Sequence, residues 1–371
     1  MANILGTNII SSLGFTTEEN FQTVKSGISG VKHYDAGTFG LPEAFMASLI
    51  DKEKLNDSFS ELSIKNSYTG LEKAAILSVF DANKQANIDL SSGKVLFIFS
   101  STKGNVHLLE NAVSEQVCLW YSAKQISRFF GNRNTPVVVS NACISGACAQ
   151  IAAIRALESR KYDNAIVVGA DFLSKFIISG FQSFKALSPE LCKPFDKDRK
   201  GLNLGEAAAT VIFGKQNNSR IQLKRGAIRN DANHISAPSR TGEGSYRALK
   251  NILQNIDKGQ IAFINAHGTA TPYNDAMETQ AIVRAGLADV PVNSLKAFFG
   301  HTLGAAGVLE SIILMKALYG NLVLKSLNFS KQNFENKINI STENHFSDKK
   351  YFIKLLSGFG GINAALLFEK R

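Results

Sequence analysis

The sequence predicts an α/β protein. Short apolar runs rich in β-branched residues alternate with longer stretches of helical periodicity along the 371 residues. Uninterrupted runs of this kind are typical of strands that helices cover on both faces of a sheet. Segments of the second half also resemble segments of the first, which predicts two similar units. The runs that we expect to form strands are 95–99, 136–139, 165–168, 208–213, 261–264 and 364–368.

The internal similarity links three pairs of segments in the same order. In each pair, an apolar run of the first half matches an apolar run of the second half. In the second pair, the small-residue helices that follow these runs also match. Two such halves are expected to pack about a pseudo-dyad. The matching pairs are 93–99 with 259–265, 136–153 with 291–311, and 206–215 with 361–370.

The division between the halves is predicted in a polar stretch where the apolar periodicity lapses. This stretch covers residues 215–220. We therefore expect an N-terminal half over residues 1–216 and a C-terminal half over residues 217–371.

Composition and charge exclude several classes of protein. With 44% hydrophobic and 19% charged residues, 29 Gly and only 7 Pro, the chain is neither disordered nor collagenous. The net charge of +10 indicates an acidic partner. The longest basic cluster, residues 193–200, is interrupted by Asp196 and Asp198, so we do not expect nucleic-acid binding.

The cysteines and the apolar patterning predict a cytoplasmic protein. The four cysteines lack the paired spacing of a zinc site and are too few to cross-link a chain of this length, so no metal is expected. No positively charged leader and no apolar run of about 18 residues is evident, which predicts neither secretion nor a membrane span.

Cys143 is the candidate nucleophile. It lies at a predicted turn between a strand and a small-residue helix. The positive end of the helix dipole favours a thiolate there, and the thiolate is the nucleophilic form. The alternative is a buried packing cysteine. We expect that second role for Cys148, which lies inside the predicted helix.

Two histidines and a lysine are the other candidate catalytic groups. His267 follows a buried strand, at the end where an open α/β sheet presents ligand-binding groups. His301 follows the strand that matches the one before Cys143, so the pseudo-dyad is expected to bring the two loops together. Lys296 precedes His301 among aromatic and glycine residues and is expected to be buried near it. The alternatives are packing histidines and a solvated lysine.

These segments together resemble the β-ketoacyl-acyl-carrier-protein synthases of the thiolase-fold superfamily, in the Cys-His-His branch. The likeness covers roughly residues 90–370. It implies a thiolase-like fold in which two βαβαβαββ halves form five layers, α-β-α-β-α. Further matching segments are 194–201, 205–206, 237–238, 242–244 and 357–363.

The resemblance implies a decarboxylative Claisen condensation. Cys143 would take an acyl group from a carrier-protein thioester, and malonyl carrier protein would then lose carbon dioxide and extend that group by two carbons. His267 and His301, as neutral imidazoles, would bind the malonyl thioester carbonyl, and Lys296 would order and tune them. No metal or organic cofactor is implied, because the phosphopantetheine arrives on the acyl carrier protein.

The resemblance also implies roles for residues around the reacting groups. The backbone N–H groups of Cys143 and Phe359 would form the oxyanion hole, and Phe359 between Gly358 and Gly360 would be a gate. The remaining assignments are Thr269 and Thr271 for the phosphopantetheine arm, Phe181 for the acyl pocket, Glu310, Asp275 and Glu278 for structural support, and Lys185 for carrier-protein docking.

Departures from the family pattern leave the pathway and the partner open. The first 90 residues match poorly, residues 101–104 lack the usual glycine character, and Ala207 stands where the family usually has Gly. The alternatives to fatty-acid elongation are therefore an aryl-polyene or flexirubin-type pigment synthase and another polyketide synthase. Others are a chain-length-factor-like subunit and a thiolase acting on coenzyme A thioesters. Either a homodimer or a heterodimer with a related subunit is expected.

Overall fold

A computed structural model describes residues 2–62, 67–110, 112–216, 219–231, 233–234 and 237–371. Residues 217–218, where we predict that the second half begins, lie outside the described residues, so the boundary stays a prediction. The elements up to residue 214 are β1 (Ala2–Ser11), α1 (Thr17–Lys25), β2 (Lys32–Tyr34), β3 (Phe45–Ser48), α2 (Lys52–Ser60), α3 (Gly70–Ala86), β4 (Val95–Ser100), α4 (Leu119–Phe129), β5 (Val137–Val139), α5 (Ser145–Glu158), β6 (Asn164–Asp171), α6 (Lys175–Ser183), β7 (Leu204–Gly205) and β8 (Ala207–Gly214).

The elements from residue 221 onward repeat much of this order. They are β9 (Ile221–Asn230), α7 (Glu243–Ile252), β10 (Ile261–Asn265), α8 (Pro272–Arg284), β11 (Val292–Asn293), α9 (Lys296–Phe299), α10 (Ala306–Tyr319), β12 (Leu322–Val323), β13 (His345–Phe346), β14 (Tyr351–Gly358) and β15 (Ile362–Lys370). All six strands predicted from apolar runs are present.

The sheet topology confirms two similar halves. Ten strands run in the order β11-β10-β14-β15-β9-β1-β8-β6-β4-β5. Numbered along the chain within each half, the five strands of both halves take the order 3-2-4-5-1, with β1 and β9 paired where the halves meet. Each segment pair matched in the sequence occupies equivalent places, since β4 corresponds to β10, β5 to β11 and β8 to β15.

The burial of the helices shows how the helices and sheets are layered. Ten of the fourteen residues of α5 and twelve of the fourteen of α10 are buried, as expected for helices enclosed between two sheets. The outer faces of the sheets are covered by α3 and α4 on one side and by α7 and α8 on the other. The predicted α-β-α-β-α layering is confirmed.

The two central helices approach closely at glycines. A Cβ atom on Gly307 of α10 would lie 2.6 Å from the backbone nitrogen of Ala147 in α5, and one on Gly146 would lie 2.9 Å from that of Val308. Small residues are therefore required where the helices cross. This contact brings the loops that precede the two helices together, and those loops carry Cys143 and His301.

No helix within the described residues is both long enough and apolar enough to span a membrane.

Candidate active site

Cys143 lies in a tight turn between β5 and α5. Ala142 has a φ of 45°, and the turn is held by Ser145, whose hydroxyl donates to the Ala142 carbonyl at 2.6 Å and accepts from the Asn141 N–H at 2.7 Å. Helix α5 begins only at Ser145, two residues beyond the thiol. Burial raises the pKa of Cys143 to about 11, and the opposing charge of Lys296 is the smaller effect. The resting thiol is therefore neutral at pH 7, contrary to the expectation from the helix dipole alone.

The two histidines meet at this thiol. The rings of His267 and His301 lie 5.1 Å apart at 84°. The Cys143 sulfur and one nitrogen of each ring all lie within 4.8 Å of one another. The sequence prediction that the pseudo-dyad joins these loops is thus met geometrically. Such a donor set also resembles a soft-metal site, but buried lysine charge beside it disfavours a cation.

The backbone around His301 fixes its tautomer. The Leu303 N–H donates to His301 Nδ1 at 3.3 Å, so the proton of the neutral ring lies on Nε2. Among the described residues, His301 Nε2 has no hydrogen-bond partner, and neither does His267 Nδ1. Burial holds the pKa of both histidines well below the ordinary value, and the positive charge of Lys296 is the second cause. His301 therefore presents an unpaired N–H donor at pH 7.

Glu278 orients the His267 loop. Its carboxylate accepts hydrogen bonds from the backbone N–H of His267 at 2.6 Å and of Gly268 at 2.7 Å. Asp275, one turn earlier on α8, accepts from the Phe195 N–H at 2.7 Å, and burial raises its pKa to about 7. Both carboxylates lie behind the reacting groups, consistent with the structural role that we predicted for them.

Lys296 is fully buried, as the sequence analysis predicted, and it pairs with Glu310 of α10. The other oxygen of the Glu310 carboxylate lies 2.6 Å from the ammonium nitrogen of Lys354, which is also fully buried. We name these three residues the Lys296–Glu310–Lys354 cluster. Sequence analysis missed Lys354, because a lysine inside a run of apolar residues gives no signal of its partner.

Asp171 is a second group that sequence analysis missed. It ends β6 and accepts from the Ser101 hydroxyl at 2.6 Å and from the Thr102 N–H at 2.9 Å. The Gly304 N–H, in the loop after His301, donates to the same carboxylate at 2.7 Å. The residues that depart from the family pattern after β4 therefore help to hold the histidine loop.

A cavity of about 480 Å³ opens onto the three reacting groups. Of the predicted residues, Cys143, His267, His301, Thr269, Thr271, Phe181, Gly358, Phe359 and Lys185 line it. Gly360 is not among the lining residues, and the acidic residues lie behind the cavity wall. Further lining residues come from the matching segments 194–201, 237–238 and 357–363. The lining residues that sequence analysis did not single out are Phe184, Ala186, Leu202, Pro272, Tyr273 and Asn274.

Three phenylalanines cluster at the cavity. Phe359 is 40% exposed and stacks on Phe181 at 6.1 Å between ring centroids, and Phe184 meets it edge-on at 5.6 Å. Gly360 and Gly361 follow with φ of 89° and 72°, a conformation that glycine adopts without strain. A side chain so exposed beside such a turn has room to move.

The backbone beside the thiol offers two donors. A Cβ atom on Gly358 would lie 3.3 Å from the Cys143 nitrogen, so glycine leaves space next to this N–H. Among the turn and loop hydrogen bonds of the described residues, the N–H groups of Cys143 and Phe359 do not donate to a backbone carbonyl. Two backbone donors beside a nucleophile are the arrangement that binds an oxyanion.

Comparison with known proteins gives matches over the whole chain. The 3-oxoacyl-[acyl-carrier-protein] synthase 2 of Vibrio cholerae is 27% identical, covering 99% of this chain and 98% of the relative. A Rhizobium meliloti protein of the same name is 33% identical over 62% of this chain and 60% of its own.

Solved structures share the fold over its full length. A structure of a Xenorhabdus doucetiae ketosynthase in complex with its chain length factor gives a TM-score of 0.87 at 25% identity, covering 100% of this chain and 98% of the matched one. A β-ketoacyl synthase from Burkholderia phymatum gives 0.88 at 25% identity, covering 100% and 99%.

Two family models match consecutive parts of the chain. The β-ketoacyl synthase N-terminal domain matches residues 100–218 and the C-terminal domain matches residues 222–330. Together these ranges span more than half of the chain. With the thiol and the two histidines gathered between the halves, the chain belongs to the β-ketoacyl synthase family, whose members are acyltransferase-type condensing enzymes of fatty-acid or polyketide synthesis.

Proposed function

We propose that this protein elongates an acyl chain held on Cys143 by condensing it with malonyl carrier protein. The observation that carries the proposal is the unpaired Nε2–H of His301 beside the buried thiol and His267. A neutral donor at that place stabilises the enolate oxygen that forms as a malonyl thioester loses carbon dioxide.

The first half-reaction is acyl transfer. The thioester carbonyl oxygen accepts hydrogen bonds from the N–H groups of Cys143 and Phe359, and the Cys143 sulfur attacks the carbonyl carbon. Because burial keeps the resting thiol protonated, its proton leaves during the attack and passes to the departing pantetheine sulfur. Thr269 and Thr271, whose hydroxyls lie 3.0 Å apart at the cavity, hold the pantetheine arm.

The second half-reaction is condensation. Malonyl carrier protein enters and its thioester oxygen accepts hydrogen bonds from His267 and His301. The bond between the malonyl α-carbon and its carboxylate breaks and carbon dioxide leaves. The electron pair of that bond forms the enolate. The enolate carbon attacks the acyl carbon, and the Cys143 sulfur leaves as a thiolate and takes a proton from solvent. Phe359 acts as the gate that opens for the first step and closes for the second.

Product formation from purified components tests this function. Wild-type enzyme, acyl carrier protein and malonyl carrier protein are expected to give carbon dioxide and a carrier-bound β-ketoacyl chain two carbons longer. The same acyl groups on coenzyme A serve as the comparison. Preference for coenzyme A, or release of coenzyme A without decarboxylation, would indicate a thiolase instead.

We further propose that the substrate is a conjugated or aryl-bearing acyl chain rather than a saturated fatty acyl chain. The support is the phenylalanine cluster of Phe181, Phe184 and Phe359, because flat π-systems stack on aromatic rings. The departures at residues 101–104 and at Ala207 agree with a specialised pathway. A panel of saturated and polyenoyl carrier proteins tests it, and higher kcat/KM for the saturated members would exclude it.

Carrier docking is proposed at the cavity mouth. Lys185 is exposed there and Lys200 also lines the mouth, and the net charge of +10 favours an acidic partner. We expect Lys185→Glu to raise the KM for carrier protein about five- to tenfold with kcat unchanged. The ratio of variant to wild-type KM should fall in high salt. Lys250→Glu, an equal charge change at an exposed residue of α7, is the matched control. An equal rise in KM for both variants would leave only a general charge effect.

A dimer is proposed through the edge strand β5. No strand among the described residues pairs with its outer side, and Val137 is 39% exposed. The partner is a second copy or a related subunit such as a chain length factor. Light scattering at micromolar concentration is expected to give a dimer mass, alone or with that subunit. A monomer under both conditions would contradict it.

We also propose a cytoplasmic location, which four free cysteines support. Cell fractionation tests this, and recovery outside the cytoplasm would contradict it.

A further inference from the structure

Lys354 occupies a position where an apolar residue would serve the fold. It lies on β14 between Phe352 and Leu356, both of which belong to the core between the sheets. A side chain facing that core is ordinarily hydrophobic, and burying an ammonium group there is unfavourable unless it is paired. The lysine is nevertheless fully buried. Packing alone therefore does not account for it.

Glu310 does not need Lys354 for neutrality. Its carboxylate already pairs with Lys296, which is also fully buried. Lys354 adds a second cation to one carboxylate, so the Lys296–Glu310–Lys354 cluster carries a net charge of +1. A buried excess charge is maintained at an active site when it acts on the reaction.

The contacts of Lys354 lead to the histidine loop. Its ammonium group donates to the Leu355 carbonyl at 2.9 Å and reaches the Ala266 carbonyl at 3.4 Å. Ala266 immediately precedes His267, and β14 is paired with β10, so that Lys354 lies opposite Asn265. Lys354 thus contacts the backbone that carries one histidine and the carboxylate that holds Lys296.

We propose that Lys354 is a positioning residue of the condensation step, which fixes Lys296 through Glu310 and supplies a buried positive charge that favours the enolate at His267 and His301. The proposal rests on the condensing function proposed above. It concerns decarboxylation alone, because Lys354 contacts the backbone before His267 and the carboxylate that holds Lys296, whereas acyl transfer to Cys143 uses the backbone N–H groups of Cys143 and Phe359.

The charge of Lys354 depends on pH in the range where the enzyme can be assayed. Burial lowers the pKa of Lys354 to about 8, although Glu310 opposes this and Lys296 adds to it. The other charged or titratable groups that face it are Glu278 on α8, His267 and His301. Below pH 8 the cluster carries its excess charge, and as pH rises through 8 that charge is lost.

Lys354→Met tests the proposal, because it removes the charge, keeps the length of the side chain and leaves Lys296 and Glu310 paired. We expect an unchanged unfolding temperature, unchanged acylation of Cys143, and about a tenfold lower kcat for malonyl decarboxylation at pH 7. The ratio of wild-type to variant kcat should fall towards one at pH 9, because the wild type has then lost the same charge. Lys354→Arg should recover most of the rate at pH 7.

The outcomes separate this inference from the proposed function. A wild type that does not decarboxylate malonyl carrier protein would refute the function itself and this inference with it. A wild type that does so, with Lys354→Met equally active at pH 7 or slower by the same factor at every pH, would overturn only the role of Lys354. Slower acylation of Cys143 in Lys354→Met would also overturn it.

Discussion

Cys143→Ala is expected to abolish acylation and condensation, with turnover at least about 1,000-fold below wild type. The thiol is the nucleophile of the proposed mechanism, and it lies within 4.8 Å of His267 and His301. Removing one sulfur atom from a buried site is expected to lower the free energy of unfolding by only about 1 kcal/mol. Activity is measured by formation of the carrier-bound β-ketoacyl product, and folding by thermal unfolding.

Cys148→Ala is the matched control for that variant. Cys148 is also buried, lies on α5 just after Cys143, and has a pKa that burial raises. Its sulfur accepts from the side-chain amide of Asn141 at 3.7 Å and lies outside the cavity lining. We expect this variant to retain acylation and condensation. Loss of activity in Cys148→Ala with retention in Cys143→Ala would overturn the assignment of the nucleophile.

His301→Ala is expected to separate the two half-reactions. The variant removes the Nε2–H donor but leaves the Cys143 and Phe359 N–H groups, so Cys143 should still accept an acyl group. Malonyl decarboxylation should fall about 100- to 1,000-fold, the usual effect of removing one donor from a developing oxyanion. Single-turnover acylation and carbon dioxide release are measured on the same sample.

His301→Gln is the conservative partner of that variant, since its side-chain amide restores a neutral N–H donor. It is expected to decarboxylate faster than His301→Ala. Equal loss of acylation and decarboxylation in both variants would mean that His301 supports the structure of the site rather than the enolate.

The core of the site could be predicted from sequence because its signals are local. Cys143 and His301 each follow a short strand and precede a small-residue helix, so the similarity between the halves placed them in equivalent loops. The crossing of α5 and α10 at Gly146 and Gly307 then brings those loops together. The resemblance implied neutral histidines, and burial holds the pKa of both well below the ordinary value.

Asp171 and Lys354 could not be predicted as supporting groups, since their partners are distant in sequence. The carboxylate of Asp171 meets the Gly304 N–H 133 residues away, and no local pattern marks such a contact. Lys354 interrupts the apolar run of β14, which concealed both the strand and the ion pair. The charged residues of β9 had the same effect on that strand. The protonated state of Cys143 depends on burial outweighing the helix dipole, a balance that only the structure gives.

Intact-protein mass spectrometry of the enzyme mixed with acyl carrier proteins tests the central claim most directly. Wild type is expected to gain the mass of one acyl group and to lose it when malonyl carrier protein is added, while Cys143→Ala gains none. Acylation of Cys143→Ala, or an acyl group on the wild type that malonyl carrier protein does not discharge, would contradict condensation through Cys143.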